Sequence, residues 1–343
     1  MTKRFLMYIS ENYSFEILRP VQNVMRDRGY QVAWFVEGDH VNLDYFSEGE
    51  KQLVDIQSVV AFQPDAVFVP GNVVPDFIPG LKVQVFHGFE WKKKGHFRIR
   101  GMFDLYCTQG PLFTKKFNEL AQPHRHFQVI ETGWPKMDVL FNTKPYDWAE
   151  RDERPTILFA PTFSPALTSA PALFKQIKSL SQSGQWQWLI KFHPKMDPQW
   201  QQQYKELQNE NLKVIETQEV AGLLHCADVL LSDTSSIITE FTLLNKPVVT
   251  FANMMPESHL LDFSSPDLLE SKLSEALAPG PDLLSKIKDA VKELHPYSDG
   301  DSASRVLDAA LSCIEAGGSH LKRKPYNLIR NLKLRKKLGY WRL

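Results

Sequence analysis

The 343-residue sequence has three cysteines, Cys107, Cys226 and Cys313, far apart and in no Cys-x-x-Cys pair. This argues against a zinc centre and a disulfide framework and points to a reducing compartment, with the thiols as small buried hydrophobes. Long apolar runs are also missing. The first, Phe5–Ile9, meets Glu11 and Asn12 at once, and no later segment approaches the roughly 20 residues that cross a bilayer, so a cytoplasmic protein is expected. Net charge is absent as well, with 40 Lys and Arg against 40 Asp and Glu, which excludes a generally nucleic-acid-seeking chain. The zero conceals a split. Leu321 to Leu343 holds nine of the 40 basic residues and no acidic one, leaving 31 against 40, or −9, before it.

Several catalytic signatures are missing too: no Gly-x-x-x-x-Gly-Lys-Ser/Thr loop, no Gly-x-Gly-x-x-Gly after the first apolar run, no His-Glu-x-x-His and no Gly-x-Ser-x-Gly elbow. Kinase, dehydrogenase, zinc protease and serine hydrolase readings all weaken. No metal and no cofactor are expected. Negative charge on a phosphate would be met by His, Lys and N–H groups.

What the chain does have is repeated strand-then-helix patterning. Short runs rich in β-branched and aromatic residues recur at Phe5–Ile9, Val32–Val36, Ala66–Val69, Val83–Phe86, Phe127–Ile130, Thr156–Phe159, Trp188–Phe192, Val229–Leu231 and Val248–Phe251. Most lack period-2 alternation, as strands covered on both faces do, and amphipathic stretches such as Phe15–Arg28 and Ile237–Leu244 lie between them. The pattern predicts an α/β fold with parallel sheets. The polar, Pro-bounded stretch Asn142–Pro155 marks a hinge between two Rossmann-like domains facing each other across a cleft. The expected division is a domain over 1–145, a linker over 146–155, a second domain over 156–316 and a tail over 317–343.

Ligands of such sheets bind beyond the carboxyl ends of the strands, and three unusual clusters fall there. Ser232-Asp233-Thr234-Ser235-Ser236 stands between a buried run and a helical one, where hydroxyls and free N–H groups suit a phosphate, although plain helix capping is the simpler use. Lys191-Phe192-His193-Pro194-Lys195 would put Lys191 and His193 on one face of a strand end, two groups able to neutralise a diphosphate. A strand-end His is more often structural, however, and Lys195 alone suits a solvated surface. His87-Gly88 opens the third cluster, with His87 suited to general-base work near neutral pH and Gly88 to a sharp turn or close ligand approach. The triple Lys that follows fits a solvated loop or the attraction of an anionic substrate.

In this order and at these intervals the clusters resemble the CDP-glycerol glycerophosphotransferase family, the teichoic-acid primases and polymerases of GT-B fold. The family's His-Gly-Thr-x-x-Lys-x-x-Gly signature is met by His87, Gly88, Lys92 and Gly95, with Phe89 in the place of Thr. Gly133-Trp134-Pro135-Lys136-Met137-Asp138 resembles its Gly-x-Pro-Arg-x-Asp, and Phe159-Ala160-Pro161-Thr162 its Tyr-Ala-Pro-Thr. Lys191-Phe192-His193-Pro194 matches Lys-x-His-Pro, Asp233-Thr234-Ser235-Ser236 matches Asp-Tyr-Ser-Ser, and Asp299-Gly300 matches a downstream Asp-Gly. Glu240 stands where the family has Asp, and no Arg-Gly segment is recognisable in Asn253–Pro266.

The resemblance implies transfer of a polyol phosphate, most simply glycerol phosphate, from a CDP-linked donor to a hydroxyl of a cell-envelope glycan or lipid-linked acceptor, with release of CMP. It implies His87 as general base and His193 as the second catalytic group. Lys191, Asp233, Thr234, Ser235 and Ser236 would bind the donor diphosphate and Glu240 the ribose or polyol, with Gly88, Lys92 and Thr162 in support. A nucleotide-sugar glycosyltransferase, a sugar-nucleotide epimerase and a non-catalytic glycan-binding scaffold are the competing readings.

The tail, after Gly317-Gly318, has Leu328, Ile329, Leu332, Leu338 and Trp341 near one helical face, Arg330, Lys333, Lys336 and Lys337 over much of the rest, and Leu334 out of pattern. Such a helix suits an anionic membrane surface and a peripheral station on the inner face of the plasma membrane. The alternative is a helix that docks back onto the N-terminal domain.

Overall fold

The computed structural model describes every residue except 1, 90, 92–94, 218, 318–320, 342 and 343. The chain forms two units, Met1–Phe141 with Glu293–Leu343, and Asn142–Lys292. Each is built on a six-stranded sheet whose pairings are all parallel.

The first unit holds β1 (Arg4–Ile9), β2 (Gln31–Val36), β3 (Ala66–Val69), β4 (Leu81–Gln84), β5 (Leu105–Thr108) and β6 (Gln128–Glu131), in the order β2-β1-β3-β4-β5-β6. Every residue of β3 and β5 is buried, so both faces of the sheet centre are covered, as continuous apolar strands require. The second unit holds β7 (Thr156–Phe159), β8 (Gln187–Ile190), β9 (Leu212–Val214), β10 (Val229–Ser232), β11 (Val248–Phe251) and β12 (Leu260–Phe263), in the order β12-β11-β10-β7-β8-β9. Its strand order reverses between β7 and β10, and the crevice beyond such a reversal is where doubly wound sheets bind ligands. The expected α/β architecture of two Rossmann-like units is therefore present. The short strands β5, β9 and β12 were not expected, and β4 and β8 each end two residues earlier than the apolar runs suggest.

The division differs from the expected one at two places. The stretch 142–155 packs with the second unit: the Tyr146 N–H donates to the Gly222 carbonyl at 2.8 Å, and Lys213 pairs with Glu150 at 2.8 Å. Residues 293–316, expected in the second domain, pack with the first unit. Helix Ser302–Ala316 buries Val306, Leu307 and Ala310, and the buried Asp138 carboxylate accepts from the Ser302 and Ala303 N–H groups at 2.8 and 2.7 Å. Arg305 adds a bond to the Thr132 carbonyl at 2.8 Å and an ion pair with Asp299 at 2.8 Å. The Gly133–Asp138 and Asp299–Gly300 elements thus serve to fasten the returning chain.

Candidate active site

The second unit gathers two of the three clusters, together with the Phe159–Thr162 motif, at the carboxyl ends of the adjacent strands β10, β7 and β8. Asp233, just after β10, is fully buried. Its carboxylate accepts from the Thr162 N–H at 2.9 Å, from the Ser169 N–H and hydroxyl at 2.9 Å each, and from the Thr234 N–H at 2.6 Å. A carboxylate so enclosed and so occupied organises the loop after β7; it does not face a diphosphate, and the expectation that Asp233 contacts the donor is corrected on that ground. Ser232 is likewise consumed, its hydroxyl donating to the Ala160 carbonyl at 2.7 Å.

Thr234, Ser235 and Ser236 follow at the loop surface. Helix Ile237–Thr242 is only six residues long, and Ser236 stands before it without capping it. The capping use of these hydroxyls is therefore not realised at Ser236, while the Thr234 hydroxyl accepts from the Met254 N–H at 3.2 Å. Glu240 lies half-buried in the same short helix. Asn253 was not singled out in the sequence, yet its side chain donates to the Asp233 carbonyl at 2.7 Å. Its N–H donates to Asp262, which also accepts from the Thr250 hydroxyl. These bonds tie the loop after β11, where no Arg-Gly is recognisable, to the Asp233 turn.

Lys191 and His193 lie beyond the end of β8, so the strand alternation that would have aligned them does not apply. They nonetheless line one cleft of about 190 Å³ together with Pro194, Val214, Ile215 and Thr217. The Lys191 ammonium donates to the Phe192 carbonyl at 2.8 Å, and burial lowers its pKa. The His193 ring stacks on Phe163 at 4.4 Å, and Lys195 lies 5.9 Å over the same Phe163 ring. His193 Nδ1 accepts from the Lys195 N–H at 3.0 Å, which in the neutral ring leaves the proton on Nε2. Burial first, then Lys195 and Lys191, hold its pKa below the ordinary value. Phe163 follows Thr162 directly, so Asp233 fixes Thr162 and the adjacent ring supports His193. Phe163 gave no sequence signal beyond its place after Pro161-Thr162.

In the first unit His87 follows β4, its ring 5.7 Å from that of Tyr13, which lies beyond the end of β1. The left-handed residue of this turn is Phe86, with φ +58°, and not Gly88. The loop is pinned on both sides of His87: the Trp134 indole N–H donates to the Phe86 carbonyl at 3.3 Å, and the Gln109 side chain donates to the Gly88 carbonyl at 2.8 Å. Phe89, where the family has Thr, packs edge-on against Trp134 at 5.2 Å and His295 at 6.0 Å. Lys92 lies outside the described residues.

The two six-stranded parallel sheets and their covering helices define an α/β protein of GT-B-like fold. The family model of CDP-Glycerol:Poly(glycerophosphate) glycerophosphotransferase matches residues 88–257. The chain belongs to that family and is a transferase of its type. Among solved structures it is similar to a point variant of the wall teichoic acid polymerase TagF, at 14% identity over 92% of this chain and 90% of that one, with a TM-score of 0.64. It is similar too to S. aureus MnaA in complex with UDP, at 15% identity over 94% and 99%, TM-score 0.66, and to a UDP-N-acetylglucosamine 2-epimerase from Listeria monocytogenes, at 13% over 94% and 99%, TM-score 0.65. At these identities the likenesses speak for the fold. No curated protein matches the chain in sequence.

Proposed function

We propose that the protein transfers glycerol phosphate, or a closely related polyol phosphate, from a CDP-linked donor to a hydroxyl of a cell-envelope glycan or lipid-linked acceptor, releasing CMP. The polymer is of the teichoic-acid or capsule kind, and the work is done in the cytoplasm at the inner face of the plasma membrane. The observation that carries this reading is the chain of contacts from Asp233 through Thr162 and Phe163 to His193, which joins three family motifs beside the β7/β10 switch point. TagF, a member of the same structural class, has been soaked with CDPG.

The roles follow from the chemistry. The acceptor oxygen attacks the polyol-bearing phosphorus while its proton passes to His87. A new P–O bond forms as the bond from that phosphorus to the bridging oxygen breaks, and CMP leaves with that oxygen. Lys191, the Nε2–H of His193, and the hydroxyl and N–H groups of Thr234, Ser235 and Ser236 hold the diphosphate and stabilise the charge on the departing oxygen. Glu240 accepts from ribose or polyol hydroxyls, Lys92 and Thr162 support the substrates, and Asp233 keeps the cradle in shape.

The test is CMP release by purified protein given CDP-glycerol and a lipid-linked or glycan acceptor. His87→Ala and His193→Ala should each reduce it by at least about 100-fold in folded protein. Release unaffected by both substitutions would refute the assignment. CDP-glycerol, CDP-ribitol and UDP-sugars compared by thermal shift separate the donor classes, since only a bound ligand raises Tm.

A further inference from the structure

Helix Leu328–Leu338 packs on the first unit, the second of the two alternatives that the sequence offered, and turns Leu334 and Asn331 inward. Leu334, the residue out of pattern, is buried with Asn331, whose side chain donates to Asp76 at 2.7 Å. Lys337 pairs with Glu37, and Tyr340 stacks on Phe77 at 4.6 Å with the Arg335 guanidinium 4.7 Å from the same ring. Glu37 follows β2, and Asp76 and Phe77 follow β3, so the helix is fastened at the carboxyl-end edge of the first sheet. His87 follows β4 on that same edge.

Docking leaves an unusual outer face. Leu328, Ile329 and Leu332 are 68%, 74% and 54% exposed, beside the exposed Lys333 and Lys336. Tyr326 before the helix and Trp341 after it are 75% and 60% exposed. Side chains this large and apolar are costly to leave in water as one patch, and their arrangement is that of an interfacial helix: aliphatic residues beside lysines, with aromatic groups having polar tips at both ends. No acidic residue follows Glu315 in the sequence, so the helix itself carries only basic charge, and the acidic groups it meets, Glu37 and Asp76, are bound on its docked side.

We infer that this outer face is a docking surface for an anionic lipid bilayer. Leu328, Ile329, Leu332 and Trp341 enter the boundary between headgroups and acyl chains, and Lys333 and Lys336 meet the lipid phosphates. Because the helix is already folded on the protein, binding orders little further chain. The surface presents the His87 edge of the sheet to lipid, where a lipid-linked acceptor resides. That consequence rests on the proposed function, whereas the lipid contact does not.

The experiment is sedimentation of the full chain with vesicles of phosphatidylcholine, alone or mixed with phosphatidylglycerol. Wild type should pellet with the mixed vesicles only. The triple variant Leu328→Ser, Ile329→Ser, Leu332→Ser, and separately the pair Lys333→Glu, Lys336→Glu, should each weaken partitioning at least about tenfold. Both should keep the Tm rise given by CDP-glycerol. Equal pelleting of wild type and the triple variant would overturn the inference. So would wild type that ignores vesicles but is dimeric in sedimentation velocity and becomes monomeric in the triple variant, which would make the face a contact with a second copy. Vesicle binding without any CDP-glycerol effect in wild type would leave the lipid surface standing and sink the donor assignment instead.

Discussion

The backbone N–H of Trp134 donates to Nε2 of His295 at 2.9 Å, while the indole N–H of the same Trp134 reaches the carbonyl of Phe86, the residue before His87. His295 belongs to the returning chain after residue 292 and Trp134 to the Gly-x-Pro element, so two distant segments together hold the turn that presents His87. The hold matters because Phe86 is left-handed without being glycine, a conformation that persists only where its surroundings impose it. Trp134 and His295 are positioning residues in this arrangement: neither has to touch substrate for its loss to be felt.

Trp134→Phe keeps a ring for Phe89 to pack against, deletes the bond to Phe86 and trims a buried side chain. Stability should fall by about 1–3 kcal/mol. Turnover should fall as well, with a drop in kcat of roughly tenfold and the donor KM unchanged, since a base displaced by a fraction of an ångström loses alignment and not affinity. A purely structural role for Trp134 would lower Tm and leave kcat per folded molecule as it was. Steady-state kinetics beside a thermal melt distinguishes the two.

His295 makes stability depend on pH. Burial, the largest cause, takes its pKa from 6.5 to about 4, so the folded state keeps the ring neutral and ready to accept from Trp134. The unfolded chain binds a proton near 6.5 and the folded one does not until about 4, so stability is full above the unfolded value and declines as pH falls through that window. The His295 contribution to the loss is roughly 3 kcal/mol. His126 and His193 are shifted in the same direction, so the measurement is the difference between wild type and His295→Gln. Urea midpoints at about pH 7.5 and 5 should show a steeper acid decline in wild type, and parallel declines would rule His295 out.

Much of this was legible beforehand. Runs such as Thr156–Phe159 and Ala66–Val69 are buried throughout and carry no competing period, so they read as central strands and are central strands. The strands β9 and β12 were illegible because Lys213 and Asp262 interrupt their short apolar runs, and β5 because Asp104 before it and Thr108 at its end leave little apolar run to read. The places of His193 and His87 beyond strand ends were legible from the apolar runs before them. The role of Asp233 was not, since its partners Thr162 and Ser169 lie more than 60 residues away in sequence and nothing local distinguishes a carboxylate that binds backbone from one that faces a ligand. The chain's return to the first unit was hidden for the same reason: Asp138 meets Ser302 only across the fold.

Asp233→Asn tests the organising role. The amide offers a single acceptor oxygen where the carboxylate serves the Thr162, Ser169 and Thr234 N–H groups and the Ser169 hydroxyl, and its own NH2 would face donors. Stability should fall by roughly 2–4 kcal/mol. In the protein that still folds, protection by CDP-glycerol should be lost, because the Thr162 and Thr234 segments no longer hold their places. Denaturant melts with and without CDP-glycerol provide both readings, and an unchanged midpoint with protection intact would contradict the role.

Phe163→Ala tests whether the stacked ring sets the protonation of His193. With Phe163 in place, His193 is neutral at pH 7 and its pKa lies below 6.5, burial being the first cause. A bound diphosphate favours the imidazolium, so donor binding draws in a proton, and affinity climbs as pH falls until the free enzyme is itself protonated. Removing the ring exposes His193 and carries its pKa upward, so the plateau of affinity should begin at higher pH than in wild type. Loss of ring orientation should at the same time weaken donor binding at pH 7 by roughly three- to tenfold. Calorimetric titration of CDP-glycerol from about pH 5 to 8 measures both effects. His193→Ala should flatten the profile, and a profile that keeps its wild-type slope in His193→Ala would assign the proton to another group.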